Sequence, residues 1–210
     1  TNPTVQAVSF TGSHEVGSGI YQQLAPRMAR AQMEMGGKNP TIVLADADLD
    51  YAAKLVAMAG YMMTGQVCTA TSRAIVEESV ADEFTEKLIA EAKSRNVGNG
   101  LTEGVNMGPA VSAAELEGNL EYLQIAKDEG AEVLCGGDRL TEGDLEYGHF
   151  MSPAVIGGVK NSMRIAQEEV FGPVIGVVKA GDFDEAIELA NDIEFGLSAS
   201  IITRDINKAM

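Results

Sequence analysis

The sequence has no tryptophan, only two histidines and only two cysteines. Cys68 and Cys135 could form at most one disulfide, and neither stands in a spacing that ligates zinc or marks a redox dithiol. No apolar run approaches the length that spans a bilayer, and no basic and apolar leader precedes the first predicted strand. We therefore expect a soluble, cytoplasmic protein with reduced thiols, no metal site and no membrane partner.

Basic residues are also scarce, with 15 lysines and arginines against 31 acidic residues and a formal net charge of −16. Such a charge repels a phosphate backbone, so nucleic acid is not an expected partner. The acidic residues are spread along helical faces, as in a solvated surface. Apolar residues make up 45% of the 210 positions, which is enough for the core of one large domain or two modest ones.

Strand and helix patterns alternate along the chain. Short β-branched and apolar runs predict strands at residues 5–10, 41–44, 74–76, 132–135, 150–156, 174–179 and 197–203. Amphipathic spacing and capping residues predict helices from 13 to about 30 (limited by Pro26) and at 49–63, 79–92, 112–130, 161–169 and 182–191. The helix at 49–63 is apolar on nearly all sides, so we expect it to be buried. This alternation predicts an α/β fold, with a mostly parallel sheet and flanking helices on both faces.

Cys68 follows a glycine turn within the segment from Thr64 to Arg73. Gly65 and Gln66 precede the thiol, and threonine, serine and arginine follow it, whereas a structural cysteine usually has aliphatic neighbours. Polar neighbours of this kind favour a reactive thiolate. The alternative is a buried residue that only fills space, and the local sequence does not separate the two.

Two acidic segments accompany this cysteine. Glu34 stands between two methionines and just before a glycine pair. Apolar neighbours that exclude water favour a carboxyl group that exchanges protons near neutral pH, as a general base does, while the alternative is a surface glutamate before a glycine stop. The second segment is residues 167–173, in which Glu168 and Glu169 precede a phenylalanine that is followed by Gly-Pro.

The content and order of these segments resemble the aldehyde dehydrogenase superfamily across essentially the whole chain. The segments that carry the resemblance are Phe10 to Ser13 with Glu15 and Gly17, Met33 to Pro40, Gly65 to Cys68 followed by Ser72 and Arg73, and Glu168 to Pro173. In the second of them Met35 replaces the leucine of the family's usual Glu-Leu-Gly-Gly-Lys motif. The 34 positions from Glu34 to Cys68 equal the separation that the family keeps.

The resemblance implies oxidation of an aldehyde to a carboxylic acid with NAD or NADP. Cys68 would add to the aldehyde as a thiolate, and Glu34 would activate the water that hydrolyses the resulting thioester. The backbone N–H of Cys68 would hold the oxyanion, together with a family asparagine that lies upstream and is absent from this sequence. The positions implied to contact the cofactor are Gly12, Ser13, Met35, Gly36, Glu169 and Phe171, with Glu169 at the nicotinamide ribose and Phe171 near the ring. Arg73 is interpreted as structural.

Family members are about twice this length or more, so the resemblance also implies a division of the chain. Residues 1–36 are interpreted as the C-terminal end of a dinucleotide-binding domain, and residues 37–210 as an aldehyde-dehydrogenase-like catalytic domain truncated at its C-terminal end. A small-molecule aldehyde is the implied substrate, and the full-length parent is expected to form a homo-oligomer. Within the family, the motifs most resemble bacterial dehydrogenases of 2-oxoglutarate semialdehyde. The chain alone is expected to bind cofactor weakly and to be inactive.

Two other hypotheses remain open from the sequence. One is a cysteine hydrolase or acyltransferase, in which His14 or His149 would activate Cys68. Both histidines also have ordinary interpretations as turn and loop residues. The other hypothesis is a non-catalytic binding or assembly module that keeps the fold without a complete cofactor domain.

Overall fold

A computed structural model describes residues 2–210 as ten strands and seven α-helices. The strands are β1 (Ala7–Gly12), β2 (Arg30–Met35), β3 (Asn39–Val43), β4 (Thr71–Glu77), β5 (Glu132–Cys135), β6 (Arg139–Leu140), β7 (Phe150–Met151), β8 (Ala154–Gly157), β9 (Val174–Ala180) and β10 (Ser200–Ile202). The helices are α1 (His14–Leu24), α2 (Leu49–Tyr61), α3 (Glu78–Lys93), α4 (Ala113–Asp128), α5 (Arg164–Gln167), α6 (Phe183–Asn191) and α7 (Ile206–Ala209). Short 3-10 turns occupy Ala25–Arg27, Met62–Gly65 and Gly143–Tyr147.

A six-stranded sheet forms the centre of the fold, in the order β10-β3-β4-β9-β8-β5. Its neighbouring strands are parallel except for β5, which runs antiparallel to β8 at one edge. Separate from it, β1 and β2 form a parallel pair, and β6 and β7 form a short antiparallel pair. The predicted α/β fold with a mostly parallel sheet and flanking helices is confirmed.

The central sheet separates two apolar clusters, because successive side chains of a strand point to opposite faces. On β3, Ile42 belongs to one cluster and its neighbour Val43 to the other. Helices α2 and α3 cover the Val43 face, while α4, α5 and α6 cover the Ile42 face. Within residues 2–210, no helix combines the length and the apolar character that crossing a membrane requires.

Local sequence signals explain where most helices begin. The Ser112 hydroxyl accepts a hydrogen bond from the N–H of Glu115, and the Asp182 carboxylate does the same for the N–H of Glu185. The helix after the first strand ends at Leu24, before Pro26, and is therefore shorter than the predicted span to about residue 30. Helix α3 begins at Glu78, one residue earlier than predicted and without a side-chain cap.

Three expectations from the sequence need correction. Strand β2, which carries Glu34, was not predicted, although residues 30–35 alternate polar and apolar side chains as a strand does; alanine, glutamine and methionine also favour helices. The strand predicted at 150–156 is divided into β7 and β8 around Pro153, since proline cannot donate to a strand ladder. Helix α2 is buried only on the side that faces the sheet and α3, and it exposes Tyr51 and Met58 to solvent.

A strained turn follows α2 and leads the chain toward Cys68. Met63, Thr64 and Gly65 have positive φ angles of 51°, 63° and 69°, a left-handed conformation that only glycine adopts without cost. The Thr64 hydroxyl donates to the carbonyl of Gly108 at 3.0 Å, which helps to hold the turn. A Cβ atom at Gly65 would overlap the carbonyl oxygen of Gly172. The turn therefore fixes the approach of the Cys68 segment to residues 171–173.

We predict that Gly65→Ala lowers the free energy of unfolding by about 2 kcal/mol, because it adds both backbone strain and a steric overlap. The matched control is Gly118→Ala in the middle of α4, where an added Cβ meets nothing within 4 Å. That substitution should raise stability by about 0.5–1 kcal/mol through helix propensity. Guanidinium unfolding followed by circular dichroism measures both values. Equal stability of the two variants would contradict the role assigned to the turn.

Candidate active site

The parallel pairing of β1 and β2 brings the first two predicted segments together. In this register Thr11 is opposite Glu34, and Gly12 is opposite Met35. Ser13 follows directly and caps α1, where its hydroxyl accepts a hydrogen bond from the N–H of Val16 at 3.4 Å. The glycine turn at the end of β1 therefore lies beside the glutamate segment at the end of β2.

Glu34 is exposed, which favours the surface glutamate over a carboxyl group enclosed by its two neighbouring methionines. The physical reason is the strand geometry of β2, in which successive side chains point to opposite faces. Met33 and Met35 are half-buried on the other face, and Met35 Sδ would lie 2.5 Å from a Cβ atom at Gly17 of α1. The Glu34 carboxylate accepts one long hydrogen bond, at 3.4 Å, from the side chain of Gln32.

Cys68 lies on an exposed turn between the strained segment and β4, so the interpretation as a buried filler is wrong. The turn is closed by the N–H of Ala70, which donates to the carbonyl of Val67 at 2.9 Å. Within residues 2–210 the backbone N–H of Cys68 donates to no protein acceptor. Both the thiol and this N–H are therefore available to a ligand.

Glu169 fits against the glycine pair that follows the Glu34 segment. Its Oε1 accepts a hydrogen bond from the N–H of Gly37 at 3.0 Å. A Cβ atom at Gly36 would overlap the Glu169 carboxylate, so only glycine permits this approach. Its second oxygen, Oε2, accepts no hydrogen bond from the described residues. Burial raises the pKa of Glu169, while the Gly37 N–H and the charge of Lys38 oppose that rise.

Glu168 faces a different environment from its neighbour. Its carboxylate binds the Arg164 guanidinium through two contacts of 2.8 Å and accepts the Tyr122 hydroxyl at 2.7 Å. The hydrogen bonds from Arg164 lower the pKa of Glu168. The two adjacent acids therefore have different environments: Glu168 is ion-paired, whereas Glu169 faces the glycine pair.

Phe171 stands at the beginning of the Phe-Gly-Pro turn, with a positive φ of 56° and 38% of its surface exposed. A narrow cavity beside this turn is lined by residues of all three segments, among them Gly37, Gly65, Val67, Ser72, Glu169 and Phe171. The structure thus brings together the glutamate segment, the Cys68 segment and the 168–173 segment, which are distant in the sequence.

Arg73 is fully buried at the start of β4, and its role is structural, as interpreted from the sequence. It donates to the carbonyl oxygens of Lys38, Leu189 and Ala190 and to the side-chain oxygen of Asn161, all at 2.9–3.1 Å. Burial lowers its pKa to about 10. Arg73 therefore ties the glutamate segment to the end of α6.

Lys38 and Asn39 are residues of the site region that sequence reasoning missed. Lys38 is only 2% exposed, and burial is the main cause that lowers its pKa to about 7. The charge of Arg73 lowers this pKa further, whereas Glu169 and Glu168 raise it. Asn39 is buried and hydrogen-bonded to the Cys68 turn. Both side chains are polar, so nothing in the neighbouring sequence predicts that they are buried.

Neither histidine is placed as a partner of the thiol. A ring nitrogen of His14 is 3.3 Å from the Ser18 hydroxyl, and the carbonyl of His149 accepts the N–H of Ala110. In the described part of the chain, no hydrogen bond joins either histidine to Cys68. The same residues contain no group of three or more histidine, cysteine or acidic side chains that could hold a metal ion.

Comparison with known proteins identifies the family. The model of the aldehyde dehydrogenase family matches residues 1–210. The chain belongs to this family, and the resemblance inferred from the motifs is confirmed.

Several relatives are close in sequence and structure. The chain is 47% identical over 206 residues to an alpha-ketoglutaric semialdehyde dehydrogenase of Bacillus subtilis, covering 98% of this chain and 42% of the relative. It is 49% identical over 209 residues to an alpha-ketoglutarate semialdehyde dehydrogenase of Haloferax volcanii, covering 99% and 43%. A crystal structure of betaine aldehyde dehydrogenase from Staphylococcus aureus in complex with NAD+ is 42% identical with a TM-score of 0.94, covering 97% and 40%. The chain thus spans about two-fifths of the length of these relatives.

The burial of Lys38 predicts a specific pH dependence of stability. The pKa of this lysine is about 7 in the folded protein and about 10.5 as a free side chain, so the folded protein loses the proton first as pH rises. Between these two values the unfolded chain binds more protons, and stability therefore rises with pH. Below pH 7 the full cost of burying the charged lysine is present.

We expect Lys38→Met to be more stable than the wild type at pH 7 by on the order of 1 kcal/mol or more, because the methionine carries no charge to desolvate. The advantage should shrink as pH rises to 10, since the wild-type lysine is then neutral when folded. Urea unfolding at pH 7, 8.5 and 10 measures the difference. Lys54→Met on the exposed side of α2 is the control, and a pH-independent difference for Lys38→Met would contradict the assignment.

Proposed function

We propose that this chain is the catalytic portion of an enzyme that oxidises an aldehyde to a carboxylic acid with NAD or NADP. The observation that carries the proposal is the convergence of three segments: the exposed Cys68 turn, the end of β2 with Glu34, and Glu169 seated against Gly36 and Gly37. Membership of the aldehyde dehydrogenase family supports the same reaction.

Cys68 is the proposed nucleophile. Its thiolate adds to the aldehyde carbon and forms a thiohemiacetal, whose oxyanion the free backbone N–H of Cys68 can hold. Loss of a hydride from that carbon leaves a thioester on the sulfur. The exposure of the thiol on its turn supports this role, since the sulfur is accessible to a small carbonyl compound.

Glu34 is the proposed base for the second half of the reaction. It takes a proton from a water molecule that attacks the thioester, and the acid product and the Cys68 thiolate are released. Its exposed position at the end of β2, opposite Thr11, leaves the carboxylate open to water. The single long hydrogen bond from Gln32 leaves most of its acceptor capacity free.

The cofactor contacts are proposed at Gly12, Ser13, Met35, Gly36, Glu169 and Phe171. When bound there, NAD or NADP supplies the acceptor for the hydride. The free Oε2 of Glu169 would accept a ribose hydroxyl, and the exposed face of Phe171 would pack near the nicotinamide ring. The adjacent glycine turn and the N-terminus of α1 at Ser13 suit the nearby phosphate groups.

The substrate, the assembly and the domain division belong to the same proposal. The names of two relatives support 2-oxoglutarate semialdehyde as the aldehyde. We further propose that the full-length protein is a cytoplasmic homo-oligomer, in which residues 1–36 end the cofactor domain and residues 37–210 belong to the catalytic domain. The separation of the β1-β2 pair from the central sheet supports that division.

A substitution at Glu34 tests the proposed reaction in the full-length protein. Glu34→Gln should keep the rapid burst of reduced cofactor, because thioester formation does not need this base, and should lower steady-state turnover about 100-fold. Stopped-flow absorbance at about 340 nm, where reduced nicotinamides absorb, measures both phases. The cofactor is present at about millimolar concentration. Glu86→Gln on the exposed face of α3 is the control. Loss of activity in His14→Ala and His149→Ala, with Glu34→Gln fully active, would contradict the role assigned to Glu34.

Glu169 and Glu168 provide a matched pair for testing the cofactor contact. Glu169→Gln keeps the shape of the side chain but removes the charge at the glycine pair, and kcat should fall about tenfold. Glu168→Gln changes the contacts to Arg164 and Tyr122 and leaves the contact at the glycine pair in place, so kcat should stay within about twofold. Steady-state kinetics with varied NAD and NADP measures both. A larger loss in Glu168→Gln would contradict the proposed contact.

A further inference from the structure

The Asn39 side chain forms hydrogen bonds to two separate segments, the Cys68 turn and the segment that contains Ser198. Asn39 begins β3, is only 4% exposed, and directs its amide toward the Cys68 turn. The Nδ2 group donates to the carbonyl oxygens of Cys68 at 2.8 Å and of Ala70 at 2.9 Å. The Oδ1 atom accepts the N–H of Ser198 at 3.2 Å. All hydrogen-bonding groups of this amide are thus directed at backbone atoms.

These bonds restrict the orientation of the nucleophile. The carbonyl of Val67 is bound by the N–H of Ala70, and in a trans peptide the N–H of the next residue points the opposite way. The N–H of Cys68 is therefore turned outward from the turn. Asn39 then fixes the next peptide group by holding the carbonyl of Cys68, so the peptide groups on both sides of the cysteine are held.

The position of Asn39 also depends on the glycine pair. A Cβ atom at Gly37 would lie 2.6 Å from Asn39 Oδ1 and 2.9 Å from the carbonyl oxygen of Cys68. The absence of a side chain at Gly37 therefore lets the amide and the turn meet at this distance. Gly37 also donates its N–H to Glu169, so one short segment connects the carboxylate, Asn39 and the nucleophile turn.

We propose that Asn39 is a positioning residue, which holds Cys68 so that its thiol and its backbone N–H face the substrate together. The inference rests on the proposed function, because it assigns Cys68 as the nucleophile. Asn39 acts through the turn and does not itself contact the substrate. Its orientation is specific, since Ser198 requires an acceptor at Oδ1 and the two turn carbonyls require donors at Nδ2.

Thr41 provides a matched control for a role that is only structural. It lies two residues further along β3 and is also buried. Its hydroxyl is bonded to the Thr71 hydroxyl at 2.9 Å and to the Ser200 hydroxyl at 2.8 Å. Thr41→Val removes these links from β3 to β4 and to β10, and Thr41 forms no hydrogen bond to Cys68 or Ala70 among the described residues.

The first test measures the thiol directly and does not depend on dehydrogenase activity. Free N–H groups held near a sulfur favour the thiolate, so releasing the turn should slow alkylation of Cys68 by iodoacetamide at pH 7 about threefold or more in Asn39→Ala. Asn39→Ser keeps one donor and should be intermediate, whereas Asn39→Asp has no donor and should be at least as slow as the alanine variant. Peptide mapping by mass spectrometry measures the rate, with Cys135 as the internal reference. A wild-type rate in both Asn39→Ala and Asn39→Asp would overturn the proposal.

The second test uses the full-length protein. Asn39→Ala should lower kcat about tenfold or more while KM for the aldehyde stays within about twofold, because positioning affects the addition step more than binding. Thr41→Val should leave kcat and KM close to wild type, even if unfolding measurements show that it loses as much stability as Asn39→Ala. An equal loss of kcat in both variants would overturn the positioning role. If the full-length protein oxidised no aldehyde, the proposed function would fail, and the alkylation rates would still decide whether Asn39 positions Cys68.

Discussion

The close approach of residues 36–37 to Glu169 is the contact on which the rest of the site depends. A side chain at Gly36 would overlap the Glu169 carboxylate, and one at Gly37 would press on Asn39 and on the carbonyl of Cys68. The N–H of Gly37 also satisfies one oxygen of that carboxylate. The absence of side chains at Gly36 and Gly37 therefore permits the Glu169 carboxylate, the Asn39 amide and the Cys68 turn to lie close together.

Two buried basic residues, Arg73 and Lys38, lie next to this contact. Arg73 is stabilised because four oxygen atoms accept its hydrogen bonds, three of them backbone carbonyls. In the described part of the chain no hydrogen bond compensates the Lys38 ammonium in this way, and burial, together with the charge of Arg73, lowers its pKa to about 7 against the opposing charges of Glu169 and Glu168. A buried lysine of this kind costs stability, and proteins keep such costs mainly where a site requires the charge. The charge of Lys38 opposes the rise in the pKa of Glu169 that burial causes.

Helix and strand positions were largely predictable because local patterns decide them. The serine and aspartate caps of α4 and α6 act within one turn of helix, and the buried runs of β4 and β9 are continuous in the sequence. Strand β2 was missed although its polar and apolar residues alternate, because its alanine, glutamine and methionine residues also favour helices. Its partner β1 supplies the ladder, and that pairing is not visible in a local window.

The candidate site likewise contains features that the sequence predicts and features that it does not. Cys68, Glu34 and Glu169 could be selected from motif content and spacing, since the glycine pairs and the Phe-Gly-Pro turn are local features. The sequence left open whether Glu34 is enclosed or exposed, and strand formation decides this because it turns the side chain away from the neighbouring methionines. The role proposed for Asn39 could not be predicted, since its partners lie 29, 31 and 159 positions away.

By itself the sequence determined the fold class, the family and the residue types available for chemistry, because periodicity, caps and motifs are properties of neighbouring residues. Only the tertiary structure decided which of these residues meet and in what environment. Adjacent acids such as Glu168 and Glu169 acquire opposite pKa shifts, since one binds Arg164 and the other is buried against Gly37. Electrostatic environment depends on atoms that are close in space, and such atoms come from segments that are distant in the chain.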